Sequence, residues 1–190
     1  EFSAVLSGGL RNVRKNTNIT SLTQDASGKP FDFGTLYDTV KLKTYQLKLR
    51  LNAAHHVKLA RQATLRGAFQ GGWMHAQQTF NNEVFQLGGY KLMRGFDEES
   101  IFATAFAVGT AEYRYLIGLN SYLFAFGDYG WARNDAYGVA ANHTYLGLGA
   151  GIAFETKAGI INLSYAVGKR EDQPFSFRQS KIHIGFISLF

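Results

Sequence analysis

Apolar and polar residues alternate strictly along much of this chain. Tyr45, Leu47, Leu49, Leu51 and Ala53 fall on one side, and Gln46, Lys48, Arg50, Asn52 and His56 on the other. A helix repeats its apolar positions at a period near 3.6, whereas a period of two belongs to a strand with unlike faces. The pattern returns at Ala63, Leu65, Gly67 and Phe69 against Thr64, Arg66, Ala68 and Gln70. It returns again at Ile161, Leu163, Tyr165 and Val167 against Asn162, Ser164, Ala166 and Gly168. The second face reads as small and polar throughout.

Counting such segments predicts about eight strands, near 2–14, 38–57, 62–76, 101–117, 121–133, 142–156, 160–170 and 178–190. The links at 59–61, 118–120 and 157–159 are tight, and those at 15–37, 77–100, 134–141 and 171–177 are longer. Short turns on one rim and long loops on the other are how outer-membrane barrels are strung. The expectation is an all-β chain: a single antiparallel transmembrane β-barrel domain over residues 1–190, with one long loop at 77–100.

A soluble lipocalin-like barrel shows the same alternation with its apolar face turned inward. Three features favour lipid outside instead. Lys48, Arg50, Arg66, Glu112 and Arg114 share the polar face of long strands, which suits a wet lumen. Tyr45, Trp73, Tyr113, Tyr115, Tyr129 and Trp131 are expected near strand ends, as interfacial girdles are. The chain also ends in an aromatic residue, Phe190.

Composition agrees with β structure: 21 Gly, 10 Tyr and 16 Phe stand beside only 2 Pro. No segment approaches the 18 or so consecutive apolar residues of a transmembrane helix, which excludes a helical membrane protein. A barrel escapes that test because only alternate residues face lipid. With no cysteine in the chain, disulfides and thiolate metal sites are absent, which suits export through an oxidising compartment. No signal peptide precedes Glu1, so the targeting segment is expected to have been removed or to lie upstream.

The net charge of +6 raises nucleic acid as a partner. Lys48, Arg50, Arg66 and Arg114 are dispersed over several strands without a stacking platform, so they read as lining a hydrated lumen, and no nucleic acid is expected. The five histidines, at 55, 56, 75, 143 and 183, lack paired ligand spacing, and no metal is predicted. Ser164 and His183 are expected to point inward, so they offer no lipase-type triad at the wall. Neither an enzyme nor a cofactor is expected. Gly147-Leu148-Gly149-Ala150-Gly151 is not GxGxxG and precedes no helix. Its glycines read as lumen-facing strand positions that permit curvature or close approach of an inserted loop.

The long loop carries Leu87-Gly88-Gly89-Tyr90-Lys91-Leu92-Met93-Arg94-Gly95-Phe96-Asp97, and two motifs follow in order: Thr110-Ala111-Glu112-Tyr113-Arg114-Tyr115 and Phe124-Ala125-Phe126-Gly127-Asp128-Tyr129-Gly130. This set resembles the RGF loop and the two following strand motifs of the BamA-type insertase superfamily, in the C-terminal half of its barrel, the bacterial surface antigen domain. The resemblance implies that the loop folds into the lumen and that Arg94 meets Glu112 and Asp128. Independently, both acids fall on the polar side of adjacent predicted strands, and a confined guanidinium needs carboxylate partners. Gly95 would permit a sharp turn, and Phe96 would wedge against Phe124 or Phe126. The competing reading is an ordinary solvated loop that contains Arg-Gly-Phe.

The last predicted strand, Lys181 to Phe190, looks like the terminal signal by which outer-membrane barrels are recognised for assembly. His183, Gly185 and Phe190 match its polar, glycine and terminal aromatic positions, and Ser188 departs from an apolar one. An amphipathic closing strand would look similar.

In the superfamily the RGF loop follows the eleventh of sixteen strands, and here it follows about the third. The resemblance thus covers nearly the whole chain and implies the last eight strands. An eight-stranded barrel is filled by its own side chains and has no room for such a loop. Either an N-terminal half is missing, or two copies pair, or the loop lies outside. The resemblance further implies a bacterial outer-membrane location, contact with membrane lipid, client β-barrel proteins, and periplasmic or lipoprotein assembly factors. Its mechanism would be a weak seam between first and last strands that opens to let a client strand pair. The alternatives are a secretion pore or the membrane anchor of a patatin-like enzyme in the same superfamily, or a small lipid-modifying barrel. Upstream POTRA repeats or a patatin-like hydrolase domain would discriminate among them.

Overall fold

The computed structural model describes every residue except Asn81, residues 137–139 and residues 189–190. In chain order its strands are β1 (Phe2–Asn12), β2 (Lys43–Lys58), β3 (Ala63–Ala76), β4 (Phe85–Leu87), β5 (Ile101–Ala103), β6 (Ala105–Leu116), β7 (Tyr122–Asn134), β8 (Ala141–Thr156), β9 (Gly159–Arg170) and β10 (Lys181–Ser188). One eight-stranded sheet runs β1-β2-β3-β6-β7-β8-β9-β10, and β4 pairs only with β5. Every pairing in the large sheet is antiparallel. Each sequential neighbour is therefore a spatial neighbour, as short turns demand. β1 and β10 have one strand partner each among the described residues.

The strands of the large sheet occupy the predicted segments, while β4 lies inside the predicted long loop. The segment 101–117 divides at Thr104, where β5 leaves the large sheet. Thr104 is the pivot: its N–H donates to the Arg133 carbonyl at 2.7 Å, its hydroxyl to the same oxygen at 3.1 Å, and its own carbonyl accepts from the Met74 N–H at 2.9 Å. Pairing with both flanking strands thus persists up to Thr104, and the chain before it turns onto the inner face.

The two faces sort as the alternation dictates. Leu6, Leu47, Leu65, Leu123, Leu148, Leu163 and Ile184 are all exposed on the outer face. So large a continuous apolar surface is what lipid covers, since water-soluble monomers rarely show contiguous patches beyond a few hundred Å². β2 and β8 have 16 residues each, more than the 9–11 a tilted strand needs to cross the hydrocarbon. Tyr45 and Trp73 lie near the loop rim, and Tyr113 and Tyr115 lie at the opposite rim. Tyr129 departs from the expected girdle: it stands mid-strand, paired with Gly109.

The inner face is not polar throughout, contrary to the sequence reading. Toward the loop rim it carries Met74, Phe106 and Val108, which are buried together with Phe85, Leu87, Ile101 and Ala103 of the β4–β5 hairpin. The core of the molecule therefore lies between the long loop and the sheet that curls round it. Each large side chain so buried contributes about 1.5–3 kcal/mol relative to exposure, which is why the hairpin docks there. Of the three arrangements left open by the sequence, a loop outside the sheet's inner face is excluded.

Candidate functional site

The loop lies on the inner face through backbone that few residues can adopt. Gly88, Gly89 and Gly95 have positive φ, and Met93 joins them at φ 61°. Met93 is 1% exposed; packing against Gly130 and Val108 holds a conformation that costs a side-chain-bearing residue about 1–2 kcal/mol. Gly95, at φ 95°, would also place a Cβ only 2.6 Å from the Gly168 backbone nitrogen. A Cβ on Gly147 would strike the Arg94 carbonyl oxygen. Gly147 and Gly168 are paired across β8 and β9, so together they form the bare floor on which Arg94 and Gly95 rest.

That floor delivers the Arg94 side chain to two acids on neighbouring strands. Arg94 Nε and Nη2 each donate to a different oxygen of Asp128 at 2.9 Å, and Nη1 donates to Glu112 Oε2 at 2.6 Å. The Arg94 backbone N–H adds a bond to Asp128 Oδ2 at 3.1 Å. Asp128 also accepts from the Thr110 hydroxyl at 2.8 Å, and the far oxygen of Glu112 accepts from Arg114 Nε at 2.7 Å. Asp128, Arg94, Glu112 and Arg114 form an alternating chain of charge that sums to zero. Burial works against the Arg94 charge, but its hydrogen bonds and the fields of Asp128 and Glu112 outweigh that, holding the guanidinium pKa above its ordinary value. Such a cluster is costly to break, because either partner alone would be a buried unpaired ion.

The aromatic neighbours are arranged otherwise than expected. Phe96 does not wedge against Phe124 or Phe126; it meets Tyr145 edge to face, with ring centroids 5.4 Å apart. The face of Phe126 is instead taken by the guanidinium of Arg94, whose Cζ lies 3.4 Å from the ring centroid. The physical reason is parity. Phe126 lies directly opposite Glu112 across β6 and β7, so the cation that bonds the acid must cover the ring, and Phe96 is carried past it to β8.

The terminal strand also joins the site. His183 is buried, and its Nε2 accepts the Gly95 backbone N–H at 3.1 Å, which puts the ring proton on Nδ1. Gly185 faces the Tyr90 ring, and Lys181 Nζ pairs with Asp97 at 2.6 Å. Phe190, the terminal aromatic of the sequence reading, lies outside the described residues.

At its other end the loop is tied to the opposite edge. Arg11 of β1 pairs with Glu83 at 2.7 Å and covers the Phe80 ring, and Lys48 Nζ donates to the Glu83 carbonyl. Sequence reasoning missed these ties, the docking role of Phe106 and Val108, and the Gly95–His183 bond. For the first pair a signal existed, since Phe106 and Val108 share the parity of Glu112 and so interrupt a polar face with apolar residues.

Residues 21–183 match the family model described as the Omp85 superfamily domain. No curated protein matches the chain.

Proposed function

The chain belongs to the Omp85 superfamily, and we propose that it supplies the wall of a barrel that promotes folding and insertion of client β-barrel proteins. Membership and the apolar outer face of the sheet make it a membrane β-barrel chain with an insertion or secretion type of role in the outer membrane. The insertase reading is the finer step, and one observation carries it. β10 is paired on one side only, by β9, and its other backbone edge has no strand partner among the described residues.

An unpaired edge in a bilayer is a strong template. Each backbone N–H or C=O left unsatisfied in hydrocarbon costs several kcal/mol, and a client strand supplies the missing partners at once. Exchange of one edge partner for another leaves the number of hydrogen bonds nearly constant, so the step needs neither covalent chemistry nor a cofactor. On this reading the protein is not an enzyme. Its partners are outer-membrane lipid, client barrels, and periplasmic or lipoprotein assembly factors that deliver them. The Arg94 anchor braces the wall beside the open edge.

The test is cross-linking in vesicles that contain the full-length protein. A photoreactive residue replacing Ile184 is expected to capture the terminal strand of a client while it folds, and to release it once folding ends. If the client folds no faster than in empty vesicles and never cross-links, the reading is wrong.

The basic inner face supports a second reading. Arg66 and Arg114 line a cleft of about 240 Å³ beside Arg94 and Asn162, which suits a hydrated conduit such as a secretion pore of the same superfamily. Steady ion conductance across a planar bilayer, unaffected by clients, would favour it.

A further inference from the structure

The two edge strands are not treated alike by the loop. All of β1 is exposed on both faces apart from Arg11. The inner face of β10 is covered at three successive inward positions, and each meets one loop residue: Lys181 meets Asp97, His183 meets the Gly95 N–H, and Gly185 meets Tyr90. These positions are two residues apart, so the contacts extend about 13 Å along the strand. They occur in reverse chain order, with the loop running alongside β10 as a neighbouring strand would. The loop makes no ladder with it; its contacts come from above the sheet and leave the backbone edge of β10 free.

We propose that Tyr90, Gly95 and Asp97 form a clasp on the inner face of β10, and that the loop anchored by Arg94 thereby sets the position of the edge offered to a client. The proposal rests on the reading that β10 borders the insertion seam. It assigns Tyr90, Asp97 and His183 as positioning residues. An edge strand held by one neighbour is prone to fray. A clasp from above restrains it while both its backbone donors and its acceptors stay available.

The steric part of the clasp is the most specific. A Cβ added to Gly185 would lie 2.8 Å from Tyr90 Cε2 and closer still to Cζ. The alanine variant must therefore push the Tyr90 ring away, and removing that ring must relieve the clash. The ion pair of Lys181 with Asp97 is half in water, with Asp97 70% exposed, so it aligns the loop more than it holds it. The Gly95–His183 bond is buried and ties the clasp directly to the residue beside Arg94.

The experiment is amide hydrogen exchange on the full-length protein in lipid nanodiscs, read separately for β10 and β9, with client folding measured on the same variants. Gly185→Ala is expected to speed exchange in β10 roughly tenfold while β9 is unchanged, and Gly185→Ala combined with Tyr90→Ala is expected to bring it back toward the wild-type rate. As a milder probe, Asp97→Lys is expected to loosen β10, and Asp97→Lys with Lys181→Asp to restore it. Unchanged β10 exchange in both single variants, or loosening that neither double variant reverses, would overturn the clasp. If exchange follows the swaps but the unaltered protein itself fails to speed client folding, the clasp stands and the insertase reading falls; if all variants speed client folding equally, the edge-setting role of the clasp is overturned.

Discussion

Arg94 grips Asp128 through three hydrogen bonds: two guanidinium nitrogens, each 2.9 Å from a different carboxylate oxygen, and the backbone N–H of the same residue at 3.1 Å. The carboxylate thereby fixes both the side chain and the main chain of the loop. Glu112 takes the remaining guanidinium nitrogen, so all three nitrogens of the fork are engaged.

Replacing Arg94 with alanine leaves two carboxylates buried with only Arg114, Thr110 and the backbone N–H of residue 94 to serve them. Loss of one member of a buried ion cluster costs about 3–5 kcal/mol. The expected result is a loop that releases from the inner face while the sheet persists, seen as new protease cleavage within residues 88–97. Arg94→Lys is expected to recover little, since a single ammonium cannot bond two acids with a planar fork.

The bare floor under the loop gives a test independent of charge. Gly147→Ala places a methyl group against the Arg94 carbonyl, whereas Gly109→Ala on the outer face meets open space. Loop release by protease is expected in the first variant and not in the second, although both add the same methyl to a strand.

The corrected position of Phe96 predicts coupling with Tyr145. A double-mutant cycle of Phe96→Leu and Tyr145→Leu, measured by chemical denaturation in detergent, should give about 0.5–1.5 kcal/mol for the edge-to-face pair. The same cycle between Phe96 and Phe124 should give none.

Lipid outside the sheet is tested by charge placement. Leu148→Arg puts a guanidinium on the outer face and is expected to cost about 2–4 kcal/mol if it lies near the bilayer midplane. Gln70→Lys, on the inner face, is expected to be tolerated. Folding yields into lipid vesicles distinguish the two, and equal yields would argue against a lipid-facing wall.

Strands and faces were legible because a period of two with a large difference between sides leaves little choice of register. Arg94, Glu112 and Asp128 were legible through the resemblance of the loop and the two strand motifs to the superfamily, with the shared parity of the two acids in support. The ties from loop to edge strands were not. Arg11–Glu83 and Gly95–His183 join residues 72 and 88 positions apart, and nothing local marks such pairs. A backbone N–H as the donor to His183 is invisible in side-chain patterns altogether. The hairpin of β4 and β5 was missed for a different reason: its strands are three residues each, too short to show a period.

Whether insertion needs a docked loop is read most directly from the folding rate of a urea-unfolded client barrel in vesicles carrying the full-length protein. With Arg94→Ala, the rate is expected to fall toward that of empty vesicles while the variant itself stays folded in the membrane. Client folding by Arg94→Ala at the wild-type rate, with its loop demonstrably released, would show that the docked loop plays no part in insertion.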